Sequence, residues 1–287
     1  FGLTHNLANN KVYCANYNSG NVTVIAGATD SVTATIAVGD YPCALLYNPT
    51  NNKVYCANWV SDDVTIIDGT TDSIITSVPV GNAPRAFAHN STNNNIYCAN
   101  AYSNDVTVID GMTDSIITTI SVGNAPRALI YNSANNKIYC ANGDSNNITV
   151  IDAVTNNVIT TIPVGNAPRA FAWNPVQNRT YVANYDGSSV SVVRDSLTGI
   201  EELIQYTSLF FLDIYPNPTK TLFTIYASTA LSNVTIYDIL GNVVLTETIT
   251  KRENTTAISV KNLSAGVYFV KLDIEGTKLI SKVIVTK

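Results

Sequence analysis

Tyr13-Cys14-Ala15-Asn16 returns as Tyr55-Cys56-Ala57-Asn58, Tyr97-Cys98-Ala99-Asn100 and Tyr139-Cys140-Ala141-Asn142, and then as Tyr181-Val182-Ala183-Asn184, each copy 42 residues after the last. A second phrase keeps the same beat: Gly81-Asn82-Ala83-Pro84-Arg85 recurs at residues 123–127 and 165–169, with a diverged copy at Gly39-Asp40-Tyr41-Pro42-Cys43. Self-similarity at this period marks stacked supersecondary units. Between two junction phrases lie four runs rich in β-branched and aromatic residues, for example 85–89, 95–100, 105–109 and 115–122, separated by Asn, Asp, Ser and Gly clusters. Four such runs in about 40–45 residues make one blade of a β-propeller. Pro79 and Pro163 fall inside the fourth run, and proline is tolerated only at a sheet edge. The fourth strand is therefore expected outermost.

These residues resemble the YVTN family of propeller repeats, whose Tyr-Val-Thr-Asn phrase this chain renders as Tyr-Cys-Ala-Asn. The Val-Ile-Asp ends of the third run (Val108-Ile109-Asp110, Val150-Ile151-Asp152) and the Val-Gly-x-x-Pro junctions extend the resemblance over about residues 1–196. The expected fold is all-β: four complete four-stranded blades and a three-stranded fifth, followed by a small Ig-like β-sandwich.

The fifth copy loses the pattern at Arg194-Asp195-Ser196, where a fourth strand is due. An unpaired edge exposes backbone donors and acceptors. The sequence also opens at the first strand of a blade, without an initiator methionine or a signal peptide. One reading is an N-terminally truncated ring, completed by an upstream strand. The other is a five-bladed ring whose seam stays open or is filled by part of residues 197–212, otherwise taken as linker.

From residue 213 a different alternation begins, with strands expected near 222–226, 234–237, 243–248, 257–260, 267–272 and 279–285. Residues 1–196 hold 8 Lys/Arg against 13 Asp/Glu, whereas 197–287 hold 8 of each, which separates two domains. Ile214-Tyr215-Pro216-Asn217-Pro218, Val234 to Gly241, Leu263-Ser264-Ala265-Gly266-Val267-Tyr268 and the closing Lys282 to Lys287 resemble the type A sorting domain of the type IX secretion system. The resemblance implies export through the outer-membrane translocon, with residues 213–287 as the address, to a secreted or outer cell-surface location. Charged residues are 13% of the chain against a usual ~25%, and no apolar run approaches a membrane span. The acidic propeller argues against nucleic acid.

Cys14, Cys56, Cys98 and Cys140 share one repeat place. Equivalent atoms of neighbouring blades lie about 10 Å apart, beyond disulfide reach, so they are expected to pack rather than bridge. His5, Tyr47, His89, Tyr131 and Trp173 also share a place, which suits ring packing better than a catalytic histidine. Asp68, Asp110 and Asp152 precede turns, a local backbone role. There is no phosphate loop, ligand cluster or nucleophile motif, hence no cofactor or metal is expected.

The candidate ligand-binding residues are Arg85, Arg127 and Arg169 at the junctions, with Tyr17, Trp59, Tyr102 and Tyr185 in the loops between second and third strands. Arginine beside exposed aromatics is the makeup of recognition surfaces. The alternative is that each arginine repeats a structural contact, such as one to an aspartate of the adjoining loop. The opposite end, with Asn51, Asn93 and Asn135, is expected to tolerate change. The favoured function is a non-enzymatic binding protein for a surface glycan, peptide or protein. Its competitors are a lyase or hydrolase whose site lies in further N-terminal blades, and a structural surface-layer component.

Overall fold

The computed structural model describes residues 2–196, 199–207, 212–227, 233–249, 255–274 and 277–287. Two compact units divide it, Phe1–Thr207 and Ser208–Lys287. In the first unit, blade 1 is β1 (Leu3–Asn6), β2 (Lys11–Asn16), β3 (Asn21–Ala26) and β4 (Ser31–Ala37), and blade 2 is β5 (Pro42–Asn48), β6 (Lys53–Asn58), β7 (Asp63–Asp68) and β8 (Ile74–Pro79). Blade 3 is β9 (Pro84–Asn90), β10 (Asn95–Asn100), β11 (Asp105–Asp110) and β12 (Ile116–Ser121); blade 4 is β13 (Pro126–Asn132), β14 (Lys137–Asn142), β15 (Asn147–Asp152) and β16 (Val158–Pro163). Blade 5 is β17 (Pro168–Asn174), β18 (Arg179–Asn184), β19 (Ser189–Ser196) and β20 (Gly199–Thr207). Every blade is an antiparallel meander with its fourth strand outermost, so Pro79 and Pro163 sit at edges.

Blade 5 corrects the expectation of a three-stranded fifth sheet. Gly199–Thr207 pairs with β19 from Ser189↔Thr207 to Ser196↔Gly199 and supplies the missing strand. These residues carry none of the repeat phrases, and of the two readings of the fifth copy the pairing agrees with the one in which part of residues 197–212 completes it. An outermost strand can diverge in this way, since its place rests on the backbone ladder to one neighbour. The vacancy that called for an upstream strand is thereby filled from residues 199–207.

Strand composition follows burial. The second and third strands of the middle blades are sandwiched between sheets, so Val54 to Asn58 and Val64 to Ile67 are buried on both faces and show no alternation. The outer strands expose most of their residues, as in Ile74 to Pro79. Inner strands pack in sequence, β1 on β5, β5 on β9, β9 on β13 and β13 on β17.

Each blade interface repeats one pairing. Tyr13, Val22, Val24 and Ile36 of blade 1 meet Val54, Cys56 and Ile67 of blade 2; Tyr55, Val64, Ile66 and Val78 then meet Ile96, Cys98 and Ile109. The cysteines are free, and Val182 takes their place in blade 5, fully buried.

Polar bonds register these interfaces at the end opposite the junctions. Tyr13 Oη donates to Gly69 O at 3.3 Å and to Asp72 Oδ1 at 2.6 Å, while Lys11 pairs with Asp72 at 2.7 Å. Two blades on, Tyr97 Oη donates to Ala153 O (3.4 Å) and Asn156 Oδ1 (2.6 Å), and Asn93 Nδ2 donates to Ala153 O at 3.0 Å. Asn51 Nδ2 donates to Gly111 O in the same way. Asn51 and Asn93 therefore bind blade to blade.

The two repeated phrases touch. A Cβ on Gly39 would come within 2.7 Å of Asn58 Nδ2, and on Gly123 within 2.7 Å of Asn142 Nδ2. The junction has to be glycine because it crosses over the asparagine that closes the second strand. That asparagine is buried and bonded: Asn58 Nδ2 donates to Asp63 Oδ1 (2.6 Å) and Thr65 Oγ1 (2.8 Å), and Asn100 and Asn142 repeat the pattern.

The second unit is a sandwich of two sheets, one formed by β21 (Leu212–Tyr215), β22 (Leu222–Ala227) and β25 (Thr255–Ser259), the other by β23 (Asn233–Tyr237), β24 (Val243–Thr248), β26 (Gly266–Ile274) and β27 (Thr277–Val285). Phe223, Ile225, Ile236, Val270 and Leu272 fill its core. The motif residues hold the unit together. Asn217 Nδ2 donates to Lys282 O at 2.8 Å and its Oδ1 accepts from Ile284 N at 2.9 Å, tying the first phrase to the last. Asp238 accepts from Leu240 N and Asn242 N, and Tyr268 Oη donates to Ser264 O.

Thr180 tests the interface rule. It occupies the place of Val54, Ile96 and Ile138, is 1% exposed, and its buried hydroxyl has no hydrogen-bond partner among the described residues. Thr180→Val keeps the shape and removes the unpaired group. It is expected to stabilise the propeller by about 1–2 kcal/mol, within the desolvation cost of such a group, and denaturant unfolding of the two proteins measures it.

Candidate functional site

The junction arginines stand at β-bulges. Pro84 pairs with Asn100 and Ala86 with Ala99, leaving Arg85 as the extra residue, and Arg127, Arg169 and Cys43 repeat the geometry. A bulge re-aims the side chain it carries. Here it sends each arginine toward the loops between second and third strands, the end on which the sequence placed it.

Those loops have a fixed half and a free half. Their third and fourth residues hold the junctions: Ser103 Oγ accepts from Asn82 N at 2.9 Å and Ser145 Oγ from Asn124 N at 2.7 Å. Asp62, Asn104 and Asn146 accept from the backbone N–H of Ala83, Ala125 and Ala167 at 2.8–2.9 Å. These alanines have φ of 58°, 50° and 51°, a left-handed conformation unfavourable for a residue with a Cβ, and the side-chain bonds hold them there. The side chains of the first two residues take no part in these bonds, and Val60, Tyr102, Asp144 and Tyr185 among them are exposed.

Variation in that free half gives the same arginine three settings. Arg85 lies 5.3 Å from the centroid of Trp59 in the preceding blade, and Trp59 meets Tyr102 edge to face at 5.2 Å. Arg127 lies across Gly143, where a Cβ would come within 2.4 Å of its Nε, and reaches Asp144 at 3.2 Å. Arg169 lies 3.8 Å from the centroid of Tyr185 in its own blade. Tyr17 stacks edge to face on Tyr41 at 4.9 Å. The structural contact weighed from sequence, arginine to a loop aspartate, is thus realised in one blade of three.

Two clefts open among these groups and share Trp59 and Arg85. The larger, about 420 Å³, is lined by Trp59, Arg85, Tyr102, Asn104, Asn124, Arg127 and Asp144, with shorter contributions from Ala101 and Ala125. The smaller, about 250 Å³, is bounded by Tyr17, Cys43, Trp59 and Arg85. Burial, with Arg127 and Arg169 nearby, pushes the Arg85 guanidinium below its usual value. Arg85 makes no hydrogen bond or ion pair among the described residues. Burial pushes the Cys43 thiol up to about 11, so it is a neutral thiol in the physiological range and its Sγ donates to Pro84 O at 3.2 Å.

Sequence reasoning missed Tyr41 and the two cleft asparagines. Tyr41 stands where Ala83 stands, and the divergence of the first junction phrase was its only signal. Asn104 and Asn124 belong to repeat places with backbone roles, and their cleft position depends on the bulged junction.

The remaining polar candidates are absorbed by the fold. Asp68 accepts from Thr70 N and Thr71 N, and Asp152 from Val154 N and Thr155 N, which pulls both carboxyls below the usual range. His5, His89 and Tyr131 each bond the asparagine five residues on, at 3.0, 3.1 and 2.9 Å. Among the described residues no group of three His, Cys, Asp or Glu side chains gathers to hold a metal.

The family model of a YNCE-like beta-propeller matches residues 2–196. The chain belongs to that family. Residues 213–286 match a secretion system C-terminal sorting domain, so this YNCE-like propeller is exported to the cell surface or secreted. Among the described residues no helix is long and apolar enough to cross a membrane. No curated relative matches the chain. Among solved structures it is similar to Kuenenia stuttgartiensis hydrazine synthase, at 15% identity and a TM-score of 0.63 over 98% of this chain and 95% of that one. At that identity the likeness is one of fold alone.

Burial pushes the His89 imidazole below its usual value of about 6.5. Its folded-state value lies below the unfolded one, so the stability tied to neutral His89 is present above pH ~6.5 and is lost as pH falls through the window beneath it. His89→Tyr, the residue carried at 47 and 131, removes this titration. Melting temperatures at pH 7 and pH 5 are expected to fall less in the variant than in the wild type.

Proposed function

We propose that this is a non-enzymatic surface-binding protein: a propeller, delivered by its sorting domain, that recognises a ligand on the junction face. The observation that carries the reading is the meeting of Arg85, Trp59 and Tyr102 at a cleft whose walls are preorganised by hydrogen bonds from the fixed halves of the loops. Preorganisation lowers the ordering cost of binding. Tyr102 is 71% exposed although it is large and aromatic, as a group awaiting a partner would be. Residues 213–287 engage the secretion machinery, and Tyr17, Arg127, Arg169 and Tyr185 extend the recognition face.

Two measurements test it. Deletion of residues 213–287 is expected to leave the protein unexported while the propeller keeps its thermal transition; surface display of the deletion would refute the division of labour. Trp59→Ala is expected to weaken ligand capture on a glycan and peptide array by about 1–2 kcal/mol, the range for interface aromatics. Equal capture by both proteins places recognition on another face.

A further inference from the structure

The cleft is basic in an acidic domain. Residues 1–196 carry 8 Lys/Arg against 13 Asp/Glu, yet Arg85 and Arg127 line the larger cleft against the single carboxylate of Asp144. That carboxylate shows what the guanidiniums take. Arg127 Nη2 donates to Asp144 Oδ1 at 3.2 Å, with the aspartate side chain 63% exposed, and the buried Arg127 Nε has no hydrogen-bond partner among the described residues. A single exposed pair of this kind contributes little stability and is readily exchanged. Asp144 bonds the junction only through its backbone N–H, to Asn124 O at 3.2 Å, so its carboxylate is not required there.

The other walls set the body of the ligand. Trp59 and Tyr102 offer ring surfaces, and Asn104 and Asn124 offer side-chain amides. Rings take the C–H face of a pyranose, amides take hydroxyls, and a guanidinium takes a carboxylate through two parallel N–H bonds. Resting on the reading of this face as the recognition surface, we propose that its ligand is an acidic polysaccharide, a sugar chain bearing carboxylates, with Arg85 and Arg127 holding the carboxylate, Trp59 and Tyr102 the ring, and Asp144 an internal competitor that the ligand displaces.

Calorimetry of the full chain with oligogalacturonate, its methyl ester and polyglutamate tests this. The free acid is expected to bind, the methyl ester at least tenfold more weakly, and polyglutamate, which has the carboxylates without the rings, at least tenfold more weakly as well. Arg85→Gln should lower affinity for the free acid about tenfold, and Asp144→Asn, by removing the competitor, should raise it. Affinity should fall as salt is raised. Equal binding of the methyl ester, equal binding of polyglutamate, no binding of the free acid at millimolar concentration, or weaker binding by Asp144→Asn would each overturn the proposal. If the free acid fails while a neutral glycan or a peptide is captured in a Trp59-dependent way, the acidic class falls and the recognition face stands.

Discussion

One carbonyl in each of blades 2 to 4 registers its interface with the blade before: that of the residue just after the third strand, Gly69, Gly111 or Ala153. It receives Tyr13 Oη from the blade before at position 69, and Asn93 Nδ2 and Tyr97 Oη from the blade before at position 153. Apolar packing between sheets is tolerant of sliding, since Val, Ile and Cys on one face meet Tyr, Val and Ile on the next without direction. Buried donors aimed at one oxygen are not tolerant. A blade that slipped by a residue would strand them, and each buried group left unpaired costs about 1–3 kcal/mol. The hydrophobic interface therefore provides the attraction and the carbonyl the register.

The same logic explains what the sequence revealed. Features that recur every 42 residues are contacts within a blade or between neighbouring blades, because each blade repeats one fold against a like neighbour. The blade, its strand order, the outer edge prolines and the packing role of the cysteines were legible for that reason. β20 was not, because its place depends on a backbone ladder that any extended segment can make. The role of Asn51 and Asn93 was not legible because asparagine is common in turns for local reasons, whereas these amides span to a neighbouring blade.

For the candidate site the sequence gathered the residues but not the geometry. Arg85, Arg127 and Arg169 could be put at the same end as Trp59, Tyr102 and Tyr185 from strand alternation alone. That the arginine turns back to Trp59 in one blade, lies over Gly143 in the next and rests on Tyr185 in the third depends on what fills the first loop place, and on the bulge that swings the side chain toward it. The cleft asparagines were invisible because their neighbours come from other repeats, and Tyr41 showed only as a departure from the junction phrase.

The division of each loop into halves bears on how such a surface can change. The third residue bonds the junction that opens its own blade and the fourth the junction that opens the next, so altering them would unseat the scaffold. The first two residues are Tyr-Asn, Trp-Val, Ala-Tyr, Gly-Asp and Tyr-Asp in the five blades; pairs such as Trp59-Val60 and Ala101-Tyr102 hold the junction through backbone N–H groups, which any residue but proline supplies, and leave their side chains free of it. Mutation can thus sample two letters per blade while every copy keeps the same frame. Duplicating a blade would copy the frame and leave the letters open to diverge, so new specificities can arise without passing through an unfolded ancestor.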